Sequence, residues 1–576
     1  MKIITLHCDY IKFKPLKKAI KSVLDLTEIE KEEKEIKEAL VVLTAVEKGD
    51  SDSEVKDLIE AVKKTAAEVK TKNIVLYPYA HLSSNLSDPT TALEYMVLAE
   101  STLKKEKYNV ARAPFGYYKE FELKVKGHPL SELSKQFGTK DAEDVKGVHK
   151  VVEVKDEVHD PSRLLKEISR SKLDTSKLKE NDHRILGQKL DLFSFSEVAP
   201  GMVFWHNNGL IIFNELVNLW RDLQRKAGFQ EISTPQIMDK KLWLISGHWG
   251  KYKENIFLSE YEGRTFALKP MNCPGGMLVY KSKTRSYKEF PLRLAELGTV
   301  HRQELSGVLS GLFRVIRFTQ DDAHIFCKED QLESEIENMI EMIDTVYSRF
   351  GFTYTTELST RPEKRIGDEK LWDKAEKILD TVLKKKKMKY KVNAGDGAFY
   401  GPKIDFHIKD SLGRTWQCAT IQLDFAMPER FELEYTDSDN KQKRPVMLHR
   451  VIYGSVERFI GVLLEHLNGN LPTWLSPTQV RIINFTDRNT KAAEKVLKEL
   501  KDNVPNLRID VDFDSTSVSD KVRNAELMKI PNILVIGDKE EESKTLAVRQ
   551  RGSKPKFGVK MEDFIAELKE KIEKRI

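Results

Sequence analysis

Apolar residues recur at two different periods along this chain, and the switches between them divide it. Near the start, IITLHCDYI and KNIVLYPYA are strand-like apolar runs, and SEVKDLIEAVKKTAAEVK between them sets its apolar residues at the spacing of a helix face. A second helical stretch, TALEYMVLAESTLKKE, follows SDP, which can cap a helix and supply its first turn. Residues 1 to 140 are therefore expected to form a compact α/β unit. From 141 to 195 the pattern dissolves into charge with few aromatics, which reads as a linker with some helix. Residues 196–472 are rich in aromatics, glycine and short strand-like runs and form the largest predicted domain; NLPTWLSPTQ, with its prolines, closes it. Beyond it VRIINF, TKAAEKVLKEL, LRIDVDF, SVSDKVRNAELMK, NILVIG and KMEDFIAELKEKIEKRI alternate strand and helix, so 473–576 is expected to be a small α/β domain. KKKK at 384–387 reads as a solvated helix end.

Length agrees with this division, since 576 residues exceed one core and suggest roughly three or four domains. With 40% hydrophobic and 32% charged residues the chain suits a globular protein with a charged surface. A net charge of +6 permits an anionic partner such as RNA without requiring one. The cysteines, Cys8, Cys273, Cys327 and Cys418, are too sparse for a disulfide framework and point to a reducing compartment. MKIITLHCDY lacks the layout of a signal peptide, and no apolar run is long enough to span a membrane, so a cytoplasmic location is expected.

Three stretches of the large domain combine Arg, acid and Gly in ways that suit a nucleotide. In TVHRQELSGVLSGLFRVIRFTQDDAHIF, a strand carrying Arg302 and Glu304 would set both on one face, and an Arg fork can hold a phosphate. GAFYGPKIDFHI places Lys403 after a Gly-Pro turn. In YGSVERFIGVLLEHL, Gly454 and Ser455 open a helix with Arg458 one turn in, where free N–H groups can meet phosphate. FTQDDAHIFC sets two acids beside His324, which local spacing leaves open as a metal site, a proton relay or a polar strand edge.

Taken in order these stretches resemble the class II aminoacyl-tRNA synthetases: GFQEISTPQI with Pro235 looks like motif 1, RQE like motif 2 and GSVER like motif 3. PGMVFWHNNG, LKPMNCPGGM, FTQDDAHIFC, GAFYGPKIDF, WQCATIQLDF and MLHRVIYGSVERF narrow the resemblance to the threonyl-tRNA synthetase family over residues 196–576. The chain departs from it at PGG after Cys273, where many members carry Pro-Gly-His, and at HNNG; neither departure falls on a residue given a role below.

The resemblance implies an antiparallel class II sheet with flanking helices, an α/β anticodon-binding domain and an α/β editing domain, with ATP, L-threonine and tRNA(Thr) as substrates. It implies one Zn²⁺ at Cys273, His324 and His449, a ligand set that leaves positions open for threonine's amino and hydroxyl groups. Asp322 would hold the ammonium, and Tyr400 and Gln422 would shape the threonine pocket. Arg302 would clamp the α-phosphate and carboxylate, and Lys403 would neutralise charge at the reacting centre. Glu304 would hold the adenine edge and Phe318 stack on it, Arg314 and Arg458 would meet the β- and γ-phosphates, and Gln417, Thr420 and Ser455 would line the site. Mg²⁺ is expected with ATP. Motif 1 implies a homodimer.

A metal that reads the hydroxyl rejects valine but not serine, which lacks only a methyl worth about 1–3 kcal/mol. A second, hydrolytic sieve is therefore expected. No HxxxH pattern of the bacterial editing site occurs; LYPYAHLSSNLS and APFGYYKEFELKVKGHPLSE resemble the archaeal editing domain, itself similar to D-aminoacyl-tRNA deacylases. His81, Tyr118, Lys119 and Glu132, with His128 nearby, fall on its matching positions. In LVIGDKEEESKTLAVRQRG, Glu540 and Arg549 are the candidates for reading anticodon bases.

Overall fold

The structure, a computed structural model, describes residues 1–20, 23, 25–83, 85–128, 130–137, 162, 165, 178–410 and 413–576. The chain divides into two compact units between residues 148 and 149. Most of the stretch read as a linker lies outside the described residues. Where it re-enters them, the helix that the reading allowed is His183–Lys189, and Leu186, Leu190, Leu192 and Phe193 are buried in the core of the second unit. Leu186 lies in that helix, Leu190 caps its C-terminus, and Leu192 and Phe193 follow it, a short apolar set that the surrounding charge conceals.

In the first unit the long strand Lys2–Lys18 pairs antiparallel with Lys34–Ala45, Tyr117–Val125 and Glu132–Gln136, while Asn73–Pro78 and Asn109–Arg112 extend the sheet in parallel beyond Lys34–Ala45. The helices Asp52–Glu68 and Pro89–Lys105 start where Ser51 and Asp88 accept backbone N–H groups. Val55, Leu58, Val62 and Met96 bury against Leu40, Val42, Ile74 and Leu76 on one face of the sheet. The other face carries Cys8, Ile11, Phe13, Val41 and Tyr77.

The second unit holds an eight-stranded sheet ordered Tyr390–Asn393, Thr353–Ser359, Lys403–Lys409, Thr415–Asp424, Val446–Val451, Arg317–Cys327, Leu292–His301 and Gln230–Glu231, antiparallel except at its two ends. Ile336, Met339 and Ile343 of the helix Leu332–Arg349, Leu216 and Trp220 of Asn207–Lys226, and Phe459 and Leu463 of Val456–His466 cover one of its faces. Each such side chain contributes about 1.5–3 kcal/mol on burial. Lys384, Lys385 and Lys386 close the helix Glu369–Lys385 and pair with Asp380, Glu337 and Glu341, as a solvated helix end should.

The C-terminal sheet is ordered Ile509–Asp512, Val480–Asn484, Asn532–Ile536, Thr545–Gln550 and Lys556–Lys560, with its first three strands parallel. Helices Thr490–Asn503 and Met561–Glu573 pack on one face and Val518–Leu527 on the other. The α/β and α+β reading therefore holds. Among the described residues no helix is long and apolar enough to cross a membrane.

Candidate active site

Strand register assembles the site. Lys403, Gln422, His449 and His324 stand opposite one another in turn across four strands. Directly opposed residues project from the same face of a sheet. Alternation adds Asp405 beside Lys403, Thr420 beside Gln422, and Phe318, Gln320 and Asp322 beside His324. The intervening Asp321, Ala323 and Ile325 turn to the other face; there Asp321 accepts the N–H groups of Ile452, Tyr453 and Gly454 at 2.8–3.0 Å and fixes the turn ahead of Ser455.

Above this face lies a cavity of about 620 Å³, lined by Cys273, Arg302, Glu304, Arg314, Phe318, Asp322, Tyr400, Lys403, Gln417, Thr420, Gln422, His449, Ser455 and Arg458. Of the residues predicted for catalysis, nucleotide, threonine and metal, only His324 is not in that lining; it is 1% exposed, in the sheet beneath.

One end of the cavity can hold a metal ion. Cys273 opens the helix Cys273–Lys281, and ligand atoms of Cys273, His324 and His449 lie within 4.8 Å of one another. Both ring nitrogens of His324 are buried without a hydrogen-bond partner, which is costly unless something else binds there. A Cβ at Gly276 would lie 3.2 Å from His324 Nδ1, so the second glycine of the Gly-Gly departure leaves room beside that ring. His324 Nε2 lies 3.6 Å from Asp322 Oδ1. His449 Nε2 meets Asp424 Oδ2 at 2.9 Å, which leaves Nδ1 for a ligand role and supplies the carboxylate that metal-bound histidines commonly use. Burial pushes the Cys273 thiol well above its ordinary range and the His324 imidazole well below its own, so both are neutral until a cation compensates. The residues present therefore fit a soft divalent ion.

The same cavity gathers cations. Arg302 stacks over Phe318, its guanidinium carbon 5.1 Å from the ring centroid, with Nε on the Pro270 carbonyl at 3.2 Å. Arg314 Nε donates to Glu304 Oε2 at 2.9 Å, and Arg458 Nε donates to the Phe313 carbonyl at 2.9 Å. Ser455 caps the helix Val456–His466 by accepting the N–H of Arg458. Tyr400 donates its hydroxyl proton to Gln422 at 2.6 Å. The reading of Arg302 and Glu304 as strand residues is corrected: the strand ends at His301, and the N–H groups of Arg302 and Gln303 turn to the carbonyls of Ile316 and Asn255 at 2.9 and 2.8 Å.

Sequence reasoning missed Asp405, 1% exposed, whose Oδ2 accepts from Lys403 Nζ at 2.6 Å and Ser359 at 2.8 Å while Oδ1 accepts from Gln417 at 2.6 Å and Thr420 at 2.9 Å. A signal existed in KIDFHI, where strand alternation puts Asp405 on the face of Lys403 amid apolar neighbours.

The first unit has its own cavity of about 480 Å³, lined by His81, Tyr118 and Lys119 together with Tyr77, Tyr79 and Phe121. Lys119 Nζ donates to the carbonyls of Pro114 and Tyr117, both at 2.9 Å, and lies 5.1 Å from the Tyr77 ring centroid. Burial with no carboxylate partner lowers its pKa to about 8. Glu132 is not in that lining; it pairs with Leu6 where the strand Glu132–Gln136 runs beside Lys2–Lys18. His128 Nε2 lies 2.8 Å from His7 Nδ1.

In the C-terminal sheet Arg549 lines a cavity of about 310 Å³ and pairs with Glu526 at 3.1 Å. Glu540 does not line it; its carboxylate accepts the N–H of Gly537 at 3.1 Å as a helix cap, so the two anticodon candidates do not share one pocket.

An antiparallel sheet carrying a nucleotide-sized cavity edged by arginines defines a class II synthetase core, and residues 256–467 match the tRNA synthetase class II core domain (G, H, P, S and T). Residues 1–137 match the archaea-specific editing domain of threonyl-tRNA synthetase, and 479–571 the anticodon binding domain. The structure is similar, at 40% identity and a TM-score of 0.65, to one titled as the RNA binding domain of threonyl-tRNA synthetase from Cryptosporidium parvum, covering 67% of this chain and 97% of that one. A putative threonyl-tRNA synthetase from Aeropyrum pernix is 28% identical with a TM-score of 0.60, over 68% of this chain and 96% of that one. The chain belongs to the threonyl-tRNA synthetase family. The threonine–tRNA ligase of Carboxydothermus hydrogenoformans is 52% identical over 398 residues, 68% of this chain; the match spans 62% of that protein's length.

Proposed function

We propose that this chain is a threonine–tRNA ligase that activates L-threonine with ATP, transfers it to tRNA(Thr), and clears mistakenly made seryl-tRNA with its N-terminal unit. The observation that carries the reading is one cavity whose lining holds Cys273 and His449 of a three-donor metal cluster together with Arg302, Lys403 and Arg458. Forming an aminoacyl-adenylate needs both sets in one cavity, because the reaction has no covalent enzyme intermediate and depends on positioning and charge stabilisation.

Arg302, held over the Phe318 ring, would orient the carboxylate and α-phosphate for in-line attack. Lys403 would offset charge at the reacting centre, with Arg314 and Arg458 on the departing pyrophosphate. Asp322 would hold the amino acid's ammonium, while Tyr400 and Gln422 close the pocket around its side chain. Glu304, now on Arg314, would turn to the adenine edge. Gln417, Thr420 and Ser455 would complete the nucleotide contacts. Zinc held by Cys273, His324 and His449 would supply a Lewis-acidic centre for the amino and hydroxyl groups, so that valine is refused. Mg²⁺ would enter with ATP, whose phosphates supply most of its ligands. A homodimer and the domain limits 1–140, 196–472 and 473–576 belong to the same proposal, with the folded segment from residue 178 joined to the catalytic part. Arg549 would face the anticodon; Glu540 is a weaker candidate.

ATP–pyrophosphate exchange across amino acids tests the reading. Threonine should support the fastest exchange, serine a weaker one and valine almost none. Exchange fastest with proline or serine would overturn the assignment.

Lys119 gives a second test. Acting as a cation in the editing cavity, it loses its charge as pH rises through about 8. The seryl-tRNA cleavage rate, after subtraction of the rate left in Lys119→Met, should therefore fall over that range. A difference that rises through pH 8 would assign Lys119 the role of a neutral base instead.

A further inference from the structure

Arg314 and Arg458 reach the cavity from two elements, a loop and a helix, and both depend on the short segment 310–314. Phe313 and Arg314 turn their N–H groups back to the Ser310 carbonyl at 2.9 and 3.3 Å, and the Phe313 carbonyl receives Arg458 Nε at 2.9 Å. Ser310 N–H also meets the Arg314 carbonyl at 3.2 Å, and a further anchor is remote in sequence: Leu312 N–H donates to His183 Nε2 at 2.9 Å. His183 is fully buried at the head of the helix His183–Lys189, and its Nδ1 meets Glu465 Oε1 at 2.7 Å. Glu465 lies on Val456–His466, the helix that carries Arg458.

We propose that His183 is a positioning residue that ties the segment bearing Arg314 to the helix bearing Arg458, and so sets the spacing of the two phosphate cations. This rests on the functional reading above and deepens it. The hydrogen bonds fix the imidazole's state. Nε2 receives an N–H and carries no proton, so Nδ1 carries the ring proton and donates it to Glu465. The neutral ring therefore has a single tautomer, and both nitrogens are used. Asp182, His183 and Glu465 are close enough together to hold a cation, yet the imidazole has no lone pair to spare, unlike that of His324. Two glycines permit the approach. Gly311 sits at φ +48°, and a Cβ there would lie 2.2 Å from His183 Nε2; a Cβ on Gly461 of the arginine helix would lie 3.0 Å from the Phe313 ring. The rings of His183, Phe313 and Trp416 continue the contact, with centroids 4.2 and 4.1 Å apart in succession.

The experiment uses the full chain and reads ATP KM and kcat in threonine-dependent pyrophosphate exchange, with thermal unfolding alongside. His183→Asn keeps a donor near Nδ1 for Glu465 but has no atom that reaches Leu312. His183→Gln can place its carbonyl oxygen where Nε2 was. Asn should raise ATP KM by about 10- to 100-fold, the order expected when reacting groups lose their placement, and Gln should restore most of that loss even if both unfold at the same lowered temperature. Gly311→Ala leaves the buried imidazole intact, pushes the loop off it and should reproduce the rise in KM. Normal exchange by the unmodified chain with an unchanged ATP KM in His183→Asn and Gly311→Ala would overturn this proposal alone. So would equal KM values for Asn and Gln, the mark of a merely structural role. Absence of threonine-dependent exchange in the unmodified chain would overturn the functional reading and this proposal with it.

Discussion

Cys273→Ser should strip the metal from the site and abolish threonine-dependent pyrophosphate exchange while the fold persists. The thiol is buried at the head of its helix, and burial holds it neutral, so a thiolate forms there only against a cation. A serine hydroxyl has no comparable anionic state and is a poor ligand for a soft ion. His324 then faces a half-made site with two unpartnered ring nitrogens. The loss of metal affinity should exceed the roughly 10–100-fold typical of losing an outer partner such as Asp424. Without metal, nothing in the pocket requires the substrate hydroxyl. The destabilisation is modest by comparison, about 1–3 kcal/mol for a buried hydroxyl without a partner. Metal analysis by mass spectrometry reads the result directly. Full zinc occupancy in the variant would remove Cys273 from the ligand set.

Much of this site is legible in the amino-acid sequence alone, and the reason differs between its parts. Lys403 after its Gly-Pro turn and Arg458 one turn into a capped helix follow from local chemistry, and both sit where that chemistry puts them. The metal cluster does not follow from local chemistry. Cys273, His324 and His449 lie on a helix and two strands far apart in the chain, and only the pairing of His324 with His449 brings the imidazoles together. Their assignment rests on the resemblance of the surrounding strings. Within the first unit the strings bring His81, Tyr118 and Lys119 to one cavity, while Glu132 stands opposite Leu6 outside its lining, a placement that only strand register reveals. The end of the charged stretch is obscure for another reason. Leu186, Leu190, Leu192 and Phe193 form a buried face too short to stand out among lysines and acids. The strand Lys34–Ala45 is hidden in the same way, since its first half is charged and exposed and only its second half is apolar. Asp405 escapes notice because its hydrogen-bond partners, spread over neighbouring strands, are invisible until register is known.

That carboxylate is also where the second large effect is expected. Asp405→Asn should lower kcat for threonine activation by about 10²-fold or more, the order seen when a preorganised charge-stabilising group is lost. Four donors converge on its two oxygens, from Lys403, Ser359, Gln417 and Thr420. An amide can satisfy one pair with its oxygen but must turn an NH₂ group, itself a donor, toward the other pair. Charge matters more. Burial favours the neutral amine of Lys403, and the carboxylates of Asp405, the stronger, and Asp396 together outweigh it, so the ammonium is held above its ordinary range. With Asn in place the burial effect prevails and only the exposed Asp396 remains nearby, so the Lys403 pKa falls. A neutral Lys403 cannot offset charge at the reacting centre, and the loss should appear in kcat more than in ATP KM. The sign of the pH dependence follows. As pH falls, Lys403 regains its proton, so the variant should recover activity relative to the native chain on the acid side and lose it further on the alkaline side. A positioning defect without a charge defect would instead give a pH-independent ratio. A kcat within twofold of the native value, or a variant-to-native ratio flat with pH, would show that Asp405 braces the strands but does not hold the charge of Lys403.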